Sequence, residues 1–137
     1  MFLKEIDDLR YYSFHPSICR IYYPCYKGNE IPPYFTRLVH RIRMIRELYK
    51  SQYQVIYMVK NHAVIGHLVV GRGGSRLAMS TKHDIVIGPI WVVPSQRSNG
   101  YASKGINFIL HNLGVDYDYA YEYIEKLNFP SIRTVQK

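Results

Sequence analysis

No stretch of this sequence approaches the ~20 consecutive apolar residues that cross a bilayer, and its start, Met1 to Arg10, is acidic rather than a basic region leading into an apolar one. The expectation is a cytoplasmic protein with no membrane partner. Cysteine is scarce. Cys19 and Cys25 lie close together with no second pair, and His15 completes no metal spacing with them, so neither a secreted disulfide framework nor a zinc module is supported. They read as plain reduced thiols, and no metal is expected. The G-x-x-x-x-G-K-[ST] string of a P-loop is absent, and so are the spaced glycines of a dinucleotide-binding fingerprint.

What is present suits one ordinary domain. The chain has 137 residues, 47% hydrophobic and 20% charged, enough for one core and neither disordered nor fibrous in composition. The net charge of +8 asks for a polyanionic partner or a solvated face. Its densest run, Arg37, His40, Arg41, Arg43, Arg46 and Lys50, falls within one expected helix and reads first as a wet helix face. Tyrosine is abundant, at 14 residues. Charge and tyrosines together suggest a nucleic-acid module, but no helix-turn-helix, zinc-finger or RNA-binding signature accompanies them, which makes that the weaker reading.

Periodicity sets out the elements. Ile18 to Tyr26 is aromatic and β-branched, an expected edge strand or extended arm because Pro24 cannot donate to a ladder. Phe35, Leu38, Val39, Ile42, Ile45 and Leu48 recur at helical spacing from Tyr34 to about Lys50. Tyr53 to Val59 and Ala63 to Gly71, joined by Lys60-Asn61-His62, form a hairpin. Ile85 to Val93 is a nearly continuous apolar run, the pattern of a strand buried on both faces, and it stops at Pro94. Tyr101 to Leu113 is a helix closed by Gly114. Val115 to Glu125 alternates, with Tyr117, Tyr119, Tyr121 and Tyr123 on one face, and Asn128 to Lys137 opens a last helix. About five strands and three or four helices follow, an α/β (α+β) fold with a mixed, mostly antiparallel central sheet flanked by helices.

The informative stretch is the buried strand, then Pro94-Ser95-Gln96, then Arg97-Ser98-Asn99-Gly100-Tyr101-Ala102, then a helix. In that order several backbone N–H groups aim at one point in front of a helix dipole, a place that binds phosphate. Gly100 allows close approach, Ala102 keeps the first turn small, and Arg97 adds charge at the rim.

The string Val92-Val93-Pro94-Ser95-Gln96-Arg97-Ser98-Asn99-Gly100-Tyr101-Ala102 resembles the coenzyme A signature of the GNAT superfamily of N-acetyltransferases, V-x-P, two residues, then R/Q-x-x-G-x-G/A. Asn128 to Lys137 is similar to that family's second cofactor segment. The resemblance covers roughly Tyr53 to Lys137, with residues 1–52 as the acceptor side and 53–137 as the cofactor core of a single domain. It implies an acyl-CoA N-acyltransferase-like fold in which strands 85–93 and 115–125 splay apart. The pantetheine arm of acetyl-CoA would pair with the backbone of Ile90, Trp91 and Val92. Its pyrophosphate would sit on the N–H groups of Ser98, Asn99, Gly100, Tyr101, Ala102 and Ser103, with Asn128 and Ser131 as further contacts. Two departures stand out. The position of the family's usual tyrosine acid is Val135, and the sequence ends at Lys137 before the family's last two strands, leaving an open sheet edge through which a homodimer could pair.

Acyl transfer to an amine needs a base and an oxyanion site. Glu122 is the first candidate base, Asp84 the second and Glu125 a third, although a single strand carboxylate is more often solvated or ion-paired than catalytic. Tyr121 and Tyr123 carry hydroxyls for an acid. The implied activity is acetyl transfer to a primary amine of a small molecule or peptide, with the acceptor itself left open. A coenzyme A-binding chain without turnover is the alternative.

Overall fold

The computed structural model describes residues 1–21, 38–74 and 77–122, with the single positions 124 and 132. Six strands form one sheet in sequential order: β1 (Phe2–Ile6), β2 (Leu9–Phe14), β3 (Gln54–Lys60), β4 (Ala63–Arg72), β5 (Ile85–Val92) and β6 (Ala120–Glu122). All neighbours are antiparallel except β5 and β6, which run parallel. Helix α1 (Leu38–Ser51) precedes β3, and α2 (Tyr101–Asn112) connects β5 to β6. This is the mixed, mostly antiparallel sheet expected from the sequence.

The β1–β2 hairpin was not anticipated. Its turn is Asp7-Asp8, with Asp7 left-handed at φ 56° and Ile6 paired to Leu9. Leu9, Tyr11 and Ser13 point inward and are buried, while Arg10 points out. Ile18 to Ile21, expected in a strand, is irregular, and positions 22–26 lie outside the described residues. The expected strand from Val115 to Glu125 starts only at Ala120 and is described to Glu122, because loop carbonyls and side chains take up the residues before it: Tyr117 donates its hydroxyl to the Leu110 carbonyl at 3.1 Å. Tyr117 and Tyr119 therefore stand outside the strand, and Tyr119 is 65% exposed. The last expected helix apart from Ile132, which is helical, the helix start at Tyr34, Cys25 and Arg37 fall outside the described residues.

Two clusters fill the two faces of the sheet. Under α2, Leu9, Tyr11, Ile56, Met58, Leu68, Ile85, Phe108 and Ile109 pack together, with Tyr11 and Phe108 stacked at 3.8 Å between ring centroids. Burying each such side chain contributes about 1.5–3 kcal/mol. A Cβ on Gly105 would stand 2.6 Å from Leu68 Cδ1, so a larger residue there would make the Leu68 and Met58 side chains shift. Under α1 the cluster is smaller: Tyr53, Val55, Tyr57 and Val69, with Leu48 against it. Strand alternation along consecutive antiparallel strands places the β1–β2 turn, the β3–β4 turn, the end of β5 and the start of α2 at one end of the sheet.

Candidate functional site

Strand β5 has two unlike halves. Ile85, Val86 and Ile87 are buried and pair with Ala120, Tyr121 and Glu122 on one side and with β4 on the other. Beyond Ile87 there is no β6 partner among the described residues, yet β5 continues to Val92 along β4. Val70 faces Ile87 and Leu68 faces Ile90, so one β4 residue opposes Gly88 and Pro89 together, a bulge of the kind that re-aims strands beside sites. The expected burial of the whole run on both faces therefore fails in its second half, where Pro89 is exposed and Ile90 and Trp91 are half-buried.

Register then decides which backbone groups face the gap. The Val93 N–H donates to the Ile65 carbonyl at 2.8 Å, toward β4. By alternation Trp91 also spends its backbone on β4, opposite His67, while Ile90 and Val92 turn theirs away from it. Consistent with this, the Val92 carbonyl accepts a bond from Arg97 Nε at 3.0 Å. The Trp91 ring stacks on buried His67, 5.6 Å between centroids.

A short 3-10 turn, Pro94–Gln96, leads into the phosphate-type turn. Ser98 (φ 66°) and Gly100 (φ 76°) are both left-handed, which curls successive backbone amides around a concave point. Gly100 is the N-cap of α2; no side chain caps the helix, and its first turn holds no acidic residue. The helical ladder begins with Lys104 N–H to the Gly100 carbonyl at 3.0 Å, so the Tyr101 and Ala102 amides precede its first bond. A Cβ built on Gly100 meets nothing within 4 Å: the space over the turn is open. Arg97, Ser98 and Asn99 are exposed around it, and Ser103 is half-buried one residue beyond Ala102.

Behind the turn lies a set of charges that sequence reading missed. Tyr101 is 8% exposed, and its hydroxyl accepts a bond from Lys60 Nζ at 2.7 Å, the ammonium lying 5.2 Å from the ring centroid. Lys60 is also ion-paired with Asp8, and that hydrogen bond, followed by the one to Tyr101, raises its pKa. The same bond to Lys60 holds Asp8 below the usual carboxylate range. Lys104 pairs with Asp7 at 3.1 Å. The acidic hairpin turn is thus clipped to the start of α2. Its signal was the two-residue Asp-Asp turn, which shares a sheet end with the Lys60 turn once the strand order is known.

The two candidate carboxylates differ. Asp84 is 1% exposed; Oδ2 accepts the Thr81 N–H at 2.6 Å and Oδ1 the Tyr119 N–H at 3.1 Å. Those bonds, the one from Thr81 first, hold its pKa below the ordinary value. It fastens the loop to the start of β6, with both oxygens occupied. Glu122, the last described residue of β6, stands opposite Ile87, half-buried where the described pairing stops, and burial raises its pKa. Among the described residues it has no ion pair. Tyr121 is half-buried beside it, and Tyr123, Glu125, Asn128 and Ser131 lie outside the described residues.

No family model and no curated protein sequence matches this chain. Solved structures do. An aminoglycoside N-acetyltransferase, AAC(6')-Iy in complex with CoA, superposes with a TM-score of 0.55 at 15% identity, over 72% of this chain and 76% of that one. An aminoglycoside acetyltransferase from an uncultured soil metagenomic sample, bound to sisomicin, gives 0.56 at 11% identity over 94% and 86%. A ribosomal-protein-alanine N-acetyltransferase from Brucella melitensis biovar Abortus 2308 gives 0.56 at 9% identity over 91% and 86%. The fold is that of the GNAT acetyltransferases.

Proposed function

We propose that this chain is an acyl-CoA-dependent N-acetyltransferase acting on a primary amine. The observation that carries the reading is the uncapped, acid-free start of α2 behind two left-handed residues, placed where β5 runs on with no β6 partner among the described residues. The open space over Gly100 fits the pyrophosphate of coenzyme A, which would rest on the amides from Ser98 to Ser103. Beyond Ile87, β5 runs for five more residues, Gly88 to Val92, roughly 16 Å at strand rise. That length suits an extended pantetheine arm, paired with the backbone of Ile90 and Val92 and lying along Trp91. Asn128 and Ser131 would add contacts, as the family resemblance implies. Bound there, acetyl-CoA supplies an activated acyl thioester.

The protein's own part is to hold the arm, shield the acyl end and take the amine's proton. Glu122 is the base in this reading: it sits at the mouth, and a raised pKa strengthens its hold on a proton. Asp84 is left out, because its oxygens are already bonded. Tyr121 and Tyr123 are the acid candidates. Small-molecule amines are the first acceptors to try, since two of the similar structures are aminoglycoside acetyltransferases. The deciding experiment is calorimetric titration with coenzyme A and acetyl-CoA. Saturable binding with a matching rise in Tm supports the reading, and acetyl transfer to a panel of amines completes it. Absence of cofactor binding overturns it.

A further inference from the structure

Helix α1 is turned the wrong way for a plain surface helix. Met44, Leu48 and Ser51 lie on its inner side, with Leu48 against the Tyr53–Val69 cluster. Other large side chains of the helix face out: Leu38 is 72% exposed, Val39 79%, Ile42 58% and Tyr49 69%. The sequence places Leu38, Val39, Ile42, Ile45 and Leu48 at helical spacing, as the apolar positions of an amphipathic helix. Leu38, Ile42 and Tyr49 are spaced i, i+4, i+11, with the half-buried Ile45 between them at i+7, so they form one ridge along the outer surface. Arg41 borders that ridge on one side, and Arg43, Arg46 and Lys50 border it on the other, all exposed. The helix's single acid, Glu47, is half-buried on the inner side.

We propose that α1 docks this protein on the surface of an anionic lipid bilayer. In this arrangement the Leu38–Tyr49 ridge enters the boundary between headgroups and acyl chains, and the arginines and Lys50 meet lipid phosphates. Charge selects this occupant. A second copy would set cations against cations, and a nucleic acid would satisfy the arginines while giving Leu38, Val39 and Ile42 nothing apolar to touch. A protein groove that encloses a helix is barred by the sheet on the inner side, whereas a bilayer needs only one face. Among the described residues no helix is long and apolar enough to cross a membrane; lying on one has no such requirement.

The test is co-sedimentation of the whole chain with phosphatidylcholine vesicles and with vesicles of phosphatidylcholine mixed with phosphatidylglycerol, at low and high salt. Binding is expected only to the anionic vesicles, and it should weaken with salt. Ile42→Ser should lower the partition coefficient by about tenfold and Arg46→Gln by about fivefold. Both positions are exposed, and an unchanged Tm confirms intact folding. Three outcomes overturn the proposal: no sedimentation with anionic vesicles, binding that Ile42→Ser leaves untouched, or a soluble dimer that Ile42→Ser dissolves.

Discussion

Among the described residues the seam between β5 and β6 is paired from Ile85 to Ile87 and unpaired beyond, closed at one end and open at the other, and a carboxylate marks each end. At the closed end Asp84 is buried with both oxygens bonded to backbone amides, and its neighbours Ile85 and Tyr119 are themselves joined by a 3.0 Å bond. At the open end Glu122 is half-buried with no ion pair among the described residues. Hydrogen bonds push the first pKa down and burial pushes the second up. Two acids on adjoining strands thus acquire opposite proton affinities from their surroundings alone, the pattern that separates a structural carboxylate from a chemical one.

The comparison breaks most visibly if Glu122 is neutralised. Glu122→Gln should lower kcat by about 100-fold or more while leaving coenzyme A affinity unchanged. A base acts deprotonated, so wild-type kcat/KM should fall as pH drops through the raised pKa of Glu122, and that limb should vanish in the variant. Stability should move the other way. The folded state holds the Glu122 proton more tightly than the unfolded chain, so ionisation costs stability as pH rises past the ordinary carboxylate range. The variant escapes this cost and should be at least as stable at neutral pH. An unchanged rate in the variant would remove Glu122 from the mechanism.

Gly100→Val should act on the cofactor end of the same gap. The new Cβ meets no protein atom, so the fold bears only the left-handed strain, roughly 1–2 kcal/mol. The side chain does fill the space over the turn, and the dissociation constant for coenzyme A should rise by about tenfold or more, given the number of amides it screens. Calorimetry at equal protein stability checks this. Unaltered affinity would mean that no phosphate rests there.

Which parts of this site could be read in one dimension follows from how local they are. The turn from Pro94 to Ala102 was legible because its signals, a strand-stopping proline, a glycine and a small residue at the helix start, lie within one short segment. The β3–β4 hairpin and α2 were legible for the same reason. The start of β6 was not: alternation runs back through Tyr117, Asp118 and Tyr119, but the Tyr117 hydroxyl bonds to Leu110, the Asp118 amide to His83 and the Tyr119 amide to the Asp84 carboxylate, and a pattern cannot tell which partner wins. Nor could it separate Asp84 from Glu122, since the difference lies in amides from a distant loop. The direction of α1 was lost too, because helical spacing marks an apolar face without saying what lies opposite it.

Cutting the closed end should leave the chemistry and lower the stability. Asp84→Ala strands the Thr81 and Tyr119 amides, and Tm should fall by roughly 5–10 °C, with the β5–β6 start the first region to exchange its amide protons. The folded pKa of Asp84 is depressed, so its contribution is present above the ordinary aspartate value and is lost as pH falls through the folded one. Wild type and variant should therefore converge in strong acid. Equal Tm values at neutral pH would show that the seam closes without Asp84.

The smallest expected effect belongs to the clip behind the phosphate turn. Lys60 and Asp8 keep side-chain exposures of 28% and 52%, so solvent screens their pair and its net worth is small. What Lys60 does fix is the position of Tyr101, the first residue of α2, through one bond to its hydroxyl. Lys60→Met retains an apolar stem over the ring and loses the bond, and Tyr101→Phe retains the ring and loses the same bond. If the clip acts by orienting the turn, both variants should raise KM for acetyl-CoA by about two- to threefold, the scale of one partly exposed hydrogen bond, with kcat unchanged. The double variant should add little to either single one, because both remove one interaction. A larger loss in Lys60→Met than in Tyr101→Phe would instead place the ammonium on the cofactor itself, and would extend the open end of the site from the turn to the neighbouring hairpin.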